Sequence, residues 1–279
     1  MKKLVFIILL CTKSIFAKAF EESLTPYSLS KGSTGTSFAI DSSAILYNPA
    51  LLVEIRETLF EIDYSNLYNL GAVNYYFSSF IKPFIWRGGL GFCIIYKSID
   101  SSLLLNEFSE YAIYSSYGLN INKFLNCGLS VKYYYANYNF NKSSAISSDF
   151  GILLKLNFLN FGIFIKDIIS NDLKWYSDNK EEIEPLIRTG LTLNLFENFK
   201  ISYDIENPLN KNFKNFLGFE FFLFNKTILL NGGLMELYYN KIALNFGFIL
   251  RTNFFDFKIG FSQHYDLGLN TILGVGIKF

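Results

Sequence analysis

Histidine is all but missing from this chain: His264 is the only one among 279 residues. A histidine-based metal centre is thereby excluded, and no spacing selects a serine and an acid around that one imidazole. The chain reads as a non-enzyme without cofactor or metal. Charge is scarce as well, at 18% of residues with a net charge of +1, against about 25% in an average soluble protein. No basic stripe interrupts it, so nucleic acid is excluded as a partner. Beyond Cys11 the only cysteines are Cys93 and Cys127. Strand phasing puts these two on opposite faces, which predicts two small hydrophobes and no disulfide. Long apolar runs are missing too: after residue 19 no stretch of about eighteen apolar residues occurs, so a spanning helix is not available.

What is abundant is apolar and aromatic surface, 51% and 19% of the residues. Part of it lies at the start, where Lys2 and Lys3 precede an apolar run over 4–10 and Ala17-Lys18-Ala19 offers small residues to signal peptidase. This pattern predicts a cleaved export signal over 1–19. Leu10 is too large for the position before a lipid-modified cysteine, so Cys11 does not mark an anchor.

From Thr58 onward, segments of about eight to twelve residues carry apolar side chains at every second position, the period of a strand. Phe60, Ile62 and Tyr64 alternate with Glu61 and Asp63; Phe255, Phe257, Ile259 and Phe261 alternate with Asp256, Lys258 and Gly260. The predicted spans are 58–65, 70–81, 87–97, 108–119, 124–138, 147–157, 159–169, 186–195, 198–206, 214–224, 226–235, 241–251, 254–263 and 271–279. Links after even-numbered strands are short, and those after odd-numbered strands tend to be longer and more polar, culminating in 170–185. The fold class is therefore all-β: a transmembrane antiparallel barrel of about fourteen strands, an even number with short turns at one end. Lys132, Arg188, Lys258 and the other strand charges all share the less apolar face. A lysine or arginine turned to lipid at mid-bilayer would cost roughly 2–4 kcal/mol, so the apolar face meets the lipid bilayer and the charged face looks inward.

The domain reading is signal peptide 1–19, an N-terminal plug or hatch 20–57, and the barrel 58–279. Within the plug, Gly32-Ser33-Thr34-Gly35-Thr36-Ser37 is followed by Asp41-Ser42-Ser43-Ala44 and by Tyr47-Asn48-Pro49-Ala50-Leu51. This resembles the start of the FadL-type long-chain fatty-acid transporters and their PorV-type relatives. Leu51 and Leu52 depart from it, since many relatives carry glycine there. The resemblance implies a fourteen-stranded barrel with a hatch in which Asp41, Asn48, Pro49 and Ala50 take part in gating. It also implies a laterally opening kink in the third strand, where Gly88, Gly89 and Gly91 stand. The alternating Leu273, Val275, Ile277 and Phe279 resemble the terminal signal of barrel-assembly substrates, which makes the barrel-assembly machinery a partner and Phe279 the assembly residue.

Tyr76, Tyr114, Tyr134, Phe164 and Phe222 phase inward. They either line a passage for an apolar ligand or fill space against the hatch. The function expected is outer-membrane transport of hydrophobic small molecules such as long-chain fatty acids. The alternatives are a PorV-type shuttle or anchor for secreted proteins, or an adhesin acting through 170–185.

Overall fold

The computed structural model describes residues 24–69, 71, 73–99, 108–138, 141–175, 180–208, 213–237 and 241–279. The expected signal peptide and the first four plug residues lie outside them. Two short helices, α1 (Pro26–Ser30) and α2 (Ser43–Tyr47), and a 3-10 helix (Pro49–Glu54) precede the strands.

Fourteen strands form the wall: β1 (Leu59–Asn66), β2 (Val73–Ile85), β3 (Gly88–Ile99), β4 (Phe108–Asn122), β5 (Leu125–Tyr138), β6 (Asn141–Lys155) and β7 (Leu159–Ser170), and then β10 (Leu186–Phe196), β11 (Phe199–Pro208), β12 (Lys214–Leu223), β13 (Ile228–Glu236), β14 (Ile242–Arg251), β15 (Phe255–His264) and β16 (Gly268–Lys278). Two further short strands, β8 (Leu173–Trp175) and β9 (Lys180–Glu181), lie in the connection from β7 to β10, with β8 pairing onto the end of β6. Each wall strand is antiparallel to its neighbours, and β1 pairs with β16 to close the cylinder. Closure satisfies every edge, which is what lets a sheet face lipid at all.

The spans predicted from alternation agree with the observed ones to within a few residues. The largest exception is β6, which begins at Asn141 instead of 147. Its opening Asn141-Lys142-Ser143-Ser144 has no apolar face, yet it pairs fully with β5, because a ladder needs backbone groups and not greasy side chains.

Burial alternates along the strands. Leu129, Val131 and Tyr133 point out and are exposed, while Ser130, Lys132 and Tyr134 between them are buried. Glu61, Asp63, Glu110, Arg188, Asp204, Glu220, Asp256 and Lys258 are likewise buried on the inner face. Cys93 faces in and Cys127 faces out, and both are free thiols. No helix among the described residues is long and apolar enough to cross a membrane.

Two aromatic belts mark the ends of the outward apolar face. At the short-turn end the exposed rings are Trp86, Phe124, Phe158, Phe196, Phe224 and Phe254. Toward the other end Tyr64, Tyr76, Tyr96, Tyr111 and Tyr135 are register partners on five successive strands, with ring centroids 5.1, 5.9, 4.6 and 6.1 Å apart in that order. Aromatic girdles at both levels suit the two interfaces of a bilayer.

Tyr76 belongs to this outer row, which corrects its expected inward position. The inward residue of β2 is Tyr75, fully buried. Both faces of Tyr75-Tyr76-Phe77 are aromatic, so hydrophobicity could not choose the phase; facing inward, the Tyr75 hydroxyl is hydrogen-bonded to the Leu24 backbone.

Candidate functional site

Residues 24–54 run around the inside of the wall. The run begins with α1, where Thr25 and Ser28 cap each other reciprocally and Pro26 sits at the first helical turn, a position that needs no amide hydrogen. It ends at the 3-10 helix, whose start is capped by Asn48. The path is held by charges that the wall strands point inward. Lys31 donates to the Tyr27 hydroxyl at 3.0 Å and the Phe38 carbonyl at 2.9 Å, and Tyr27 donates to Glu220 at 2.5 Å. Asp204 accepts from the Gly35 and Thr36 amides and from the Thr36 hydroxyl at 2.8–3.1 Å. Arg188 lies 3.2 Å from Asp204 and donates to the Ser33 carbonyl. The Ser37 and Thr192 hydroxyls are 2.7 Å apart, and near the short-turn end Lys155 and Asn126 both reach Glu54.

Asn48 is fully buried. Its amide donates to the Thr36 carbonyl at 2.7 Å and the Ile152 carbonyl at 3.0 Å, while its side-chain oxygen accepts from Ala50 N–H at 3.0 Å. Pro49 then starts the 3-10 helix. Asp41 accepts from the Ser43 amide and hydroxyl and from Lys258, the last at 2.7 Å, and Lys258 also reaches Glu61 at 2.6 Å. Burial pushes the Asp41 carboxyl up, but the Lys258 ammonium and the Ser43 donors more than offset this, and Asp41 lies below the usual carboxylate range.

Glycine determines how close this segment comes to the wall. One inward glycine on nearly every strand abuts it: Gly89 on Leu52, Gly118 and Gly128 on Pro49 and Ala50, Gly151 on Asn48, Gly162 and Gly190 on Thr36, Gly218 on Thr34 and Lys31, Gly233 on Gly32, Gly247 on Ser30, and Gly260 and Gly274 on Pro26. Many of these are cross-strand partners, as in Gly89↔Gly118, Gly118↔Gly128 and Gly128↔Gly151. The result is a belt of bare backbone around the lumen. At Gly128 a methyl group would fall on the Pro49–Ala50 peptide itself, where backbone atoms have nowhere to go.

The third-strand glycines are part of this belt. β3 pairs with β4 without interruption from Gly88↔Leu119 to Ile99↔Phe108, while its ladder with β2 shifts register between Lys82↔Leu90 and Ile85↔Gly88, opposite Gly89. Gly91 leaves room for Ile45 and Leu52, and Gly88 lies against the Gly118 backbone. The wall is irregular also at β7. There the ladder with β6 jumps from Ser148↔Ile169 to Phe150↔Ile165, and Asp167 takes φ +57°. This bulge aims Asp167 into the lumen, where Lys132, Ser147 and Tyr134 donate to it.

Tyr114, Tyr134, Phe164 and Phe222 face inward and are buried. The structure does not gather them into one place: Tyr114 and Tyr134 lie close to Lys132, whereas Phe222 sits at the short-turn end of β12, facing Lys200. Tyr75, whose hydroxyl both accepts from and donates to the Leu24 backbone, was missed with its strand's phase. Gly274 is marked by the sequence as an inward position whose missing side chain lets a plug backbone approach the wall, and it does abut Pro26; the rest of the belt as a seat for the segment, and the paired roles of Asp204, Arg188, Lys258 and Glu61, were missed. The signal for the belt was present as a recurring inward glycine a few residues from each short turn. In the 170–185 connection Leu173 and Trp175 are buried, so part of that loop folds onto the barrel.

Phe279 is 78% exposed at the end of the wall, and its amide donates to the Thr58 carbonyl at 3.0 Å. Its ring contributes little packing to the finished barrel. Deleting Phe279 is expected to lower the amount of assembled, heat-modifiable protein in cells while leaving the denaturation midpoint of assembled molecules close to wild type. Equal amounts in the membrane would remove the assembly role.

No family model and no curated protein sequence matches this chain. Solved structures do. The toluene transporter TodX of Pseudomonas putida superposes with a TM-score of 0.72 at 10% identity, covering 92% of this chain and 98% of that one. The toluene transporter TbuX of Ralstonia pickettii gives 0.67 at 12% identity, over 92% and 99%. A Pseudomonas aeruginosa FadL homologue gives 0.62 at 9% identity, over 92% and 98%. At such identities shape is what is shared, and the chain has the fold of the FadL-type fourteen-stranded barrels.

Proposed function

We propose that this protein is an outer-membrane channel for hydrophobic small molecules, exported by a cleaved signal peptide and inserted by the barrel-assembly machinery. The observation that carries the reading is a lipid-compatible barrel whose lumen is crossed by residues 24–54, in the fold shared by solved toluene transporters. A water-filled porin has no use for such a segment. In this reading the inward rings Tyr75, Tyr114, Tyr134, Phe164 and Phe222, packed away in the closed barrel, offer an apolar molecule a surface only once the segment moves. Long-chain fatty acids and monoaromatic hydrocarbons are the two substrate classes to compare.

In this reading Asp41, Asn48, Pro49 and Ala50 govern passage, with Asn48 and Pro49 as the pivot. Asn48 makes three buried hydrogen bonds, each worth about 0.5–1.5 kcal/mol net. Asn48→Ala is expected to change the rate at which the full chain in liposomes admits toluene or a labelled fatty acid, with the barrel still heat-modifiable. Wild-type liposomes that admit both probes no faster than empty ones would end the transport reading. Wild-type rates in the variant would end the role assigned to the turn.

A further inference from the structure

The segment inside the barrel is held in two very different ways along its length. Residues 26–36 and 48–52 press their backbone on the glycine belt, where wall and segment atoms interlock around the lumen. Of residues 39–46 between them, the Ile45 side chain at Gly91 is what comes among the nearest neighbours of a belt glycine. Their backbone hydrogen bonds stay local: Ala44 N–H to the Asp41 carbonyl, Ile45 N–H to the Ser42 carbonyl, and Asn48 N–H to the Ala44 carbonyl. Two things fix this stretch to the wall: the side chains of Ala39, Ala44, Ile45 and Leu46, which are buried in the hydrophobic core, and a small polar latch. Asp41 meets Lys258 of β15, and Ser42 meets Ser79 of β2 through a 2.5 Å hydroxyl contact and Glu61 of β1 through its amide at 3.4 Å. On either side the chain is pinned, at Ser37 by Thr192 and at Asn48 by the Thr36 and Ile152 carbonyls.

We infer that the moving gate is residues 39–46 alone, released as a unit when the Asp41 and Ser42 latch opens, while the glycine-seated parts form a fixed frame. This rests on the channel reading for its purpose but not for its geometry. Interlocked backbone has to shift everywhere to move anywhere, because a packed interior does not deform gradually. A stretch closed by its own hydrogen bonds and held by side chains has a discrete way out. Lys258 keeps Glu61 as a partner when Asp41 leaves, so opening strands no lysine.

Two measurements on the full chain in liposomes test this. Hydrogen exchange should show the amides of 39–46 exchanging together, faster than those of 26–36 and 48–52. Asp41→Asn should speed the first group and leave the others unchanged. Uniform exchange across 26–52 would overturn the inference whether or not the protein transports anything.

The second measurement uses a Cys93→Ala, Cys127→Ala background. Hydroxyls in hydrogen-bond contact bring their Cβ atoms near the separation that a disulfide spans. Ser42→Cys with Ser79→Cys therefore locks the gate, and Ser37→Cys with Thr192→Cys locks only the frame. Oxidation of the first pair should cut toluene entry to the rate of empty liposomes, with recovery on reduction, and oxidation of the second should leave entry unchanged. Unimpeded entry through the first lock, or equal block by both, would overturn it. If the background admits toluene no faster than empty liposomes while 39–46 still exchanges as a block, the channel reading fails and the assignment of the moving segment stands.

Discussion

Gly233→Ala is expected to abolish recovery of the heat-modifiable barrel, and Gly232→Ala, one residue away on the same strand, is expected to leave it at wild-type levels. The two glycines face opposite ways on β13. A methyl group on Gly232 has the Asn245 carbonyl at 3.9 Å as its nearest neighbour, ordinary contact distance. A methyl group on Gly233 would strike the Gly32 amide nitrogen, with the Lys31 carbonyl carbon at 2.5 Å and the Leu217 carbonyl oxygen at 2.6 Å. All three are backbone atoms, and Gly32 is itself at φ +66°, where a residue with a side chain is strained. Overpacking a dense site costs about 1–3 kcal/mol where side chains can adjust. Here no rotamer can absorb the clash, so either the segment leaves the belt or the ladder parts. Gly128→Ala should behave as Gly233→Ala does, because it meets the Pro49–Ala50 peptide. The readout is the folded fraction by gel mobility before and after heating. Equal recovery of Gly232→Ala and Gly233→Ala would mean that the inner segment does not press on the wall.

The second large effect belongs to Lys132→Met. Lys132 is the cation between Asp149 at 2.5 Å and Asp167 at 2.6 Å, and the three side chains are almost wholly buried. Removing one partner of a buried ionic group costs about 3–5 kcal/mol, since the remaining charge is left in a poorly solvating site. Two carboxylates are left in this case. Ser147 and Tyr134 still donate to Asp167, which moderates the loss without neutralising either acid. The denaturant midpoint of the assembled barrel should fall accordingly. Adding Asp149→Asn and Asp167→Asn should restore most of it by removing the stranded charges, because a neutral cluster of similar shape has no such penalty. A midpoint unmoved by Lys132→Met would show that water reaches this part of the lumen freely.

The wall of this protein was legible in its sequence because lipid and lumen impose opposite demands on alternate residues. Every second residue from Phe60 to Tyr64, or from Phe255 to Phe261, must be apolar, and Glu61, Asp63, Asp256 and Lys258 can only look inward. Chain order plus antiparallel pairing then leaves little freedom in topology. Alternation failed where a solvent did not discriminate. Tyr75 and Tyr76 suit either face, and Asn141 to Ser144 suit neither lipid nor core.

The inside was a different problem. The sequence singled out Asp41, Asn48, Pro49 and Ala50 as a unit, but their partners lie far along the chain: Lys258 for Asp41, Ile152 for Asn48, Gly118 and Gly128 for Pro49. Gly89, singled out in β3 through the resemblance, is a seat for Leu52, because a missing side chain has no meaning until something approaches it. Period and composition, which answer to the surrounding solvent one residue at a time, determined that there is a barrel and which face of most strands meets lipid. Only the closed structure, by bringing strands distant in sequence around one short segment, decided which charges pair and which glycines bear contact.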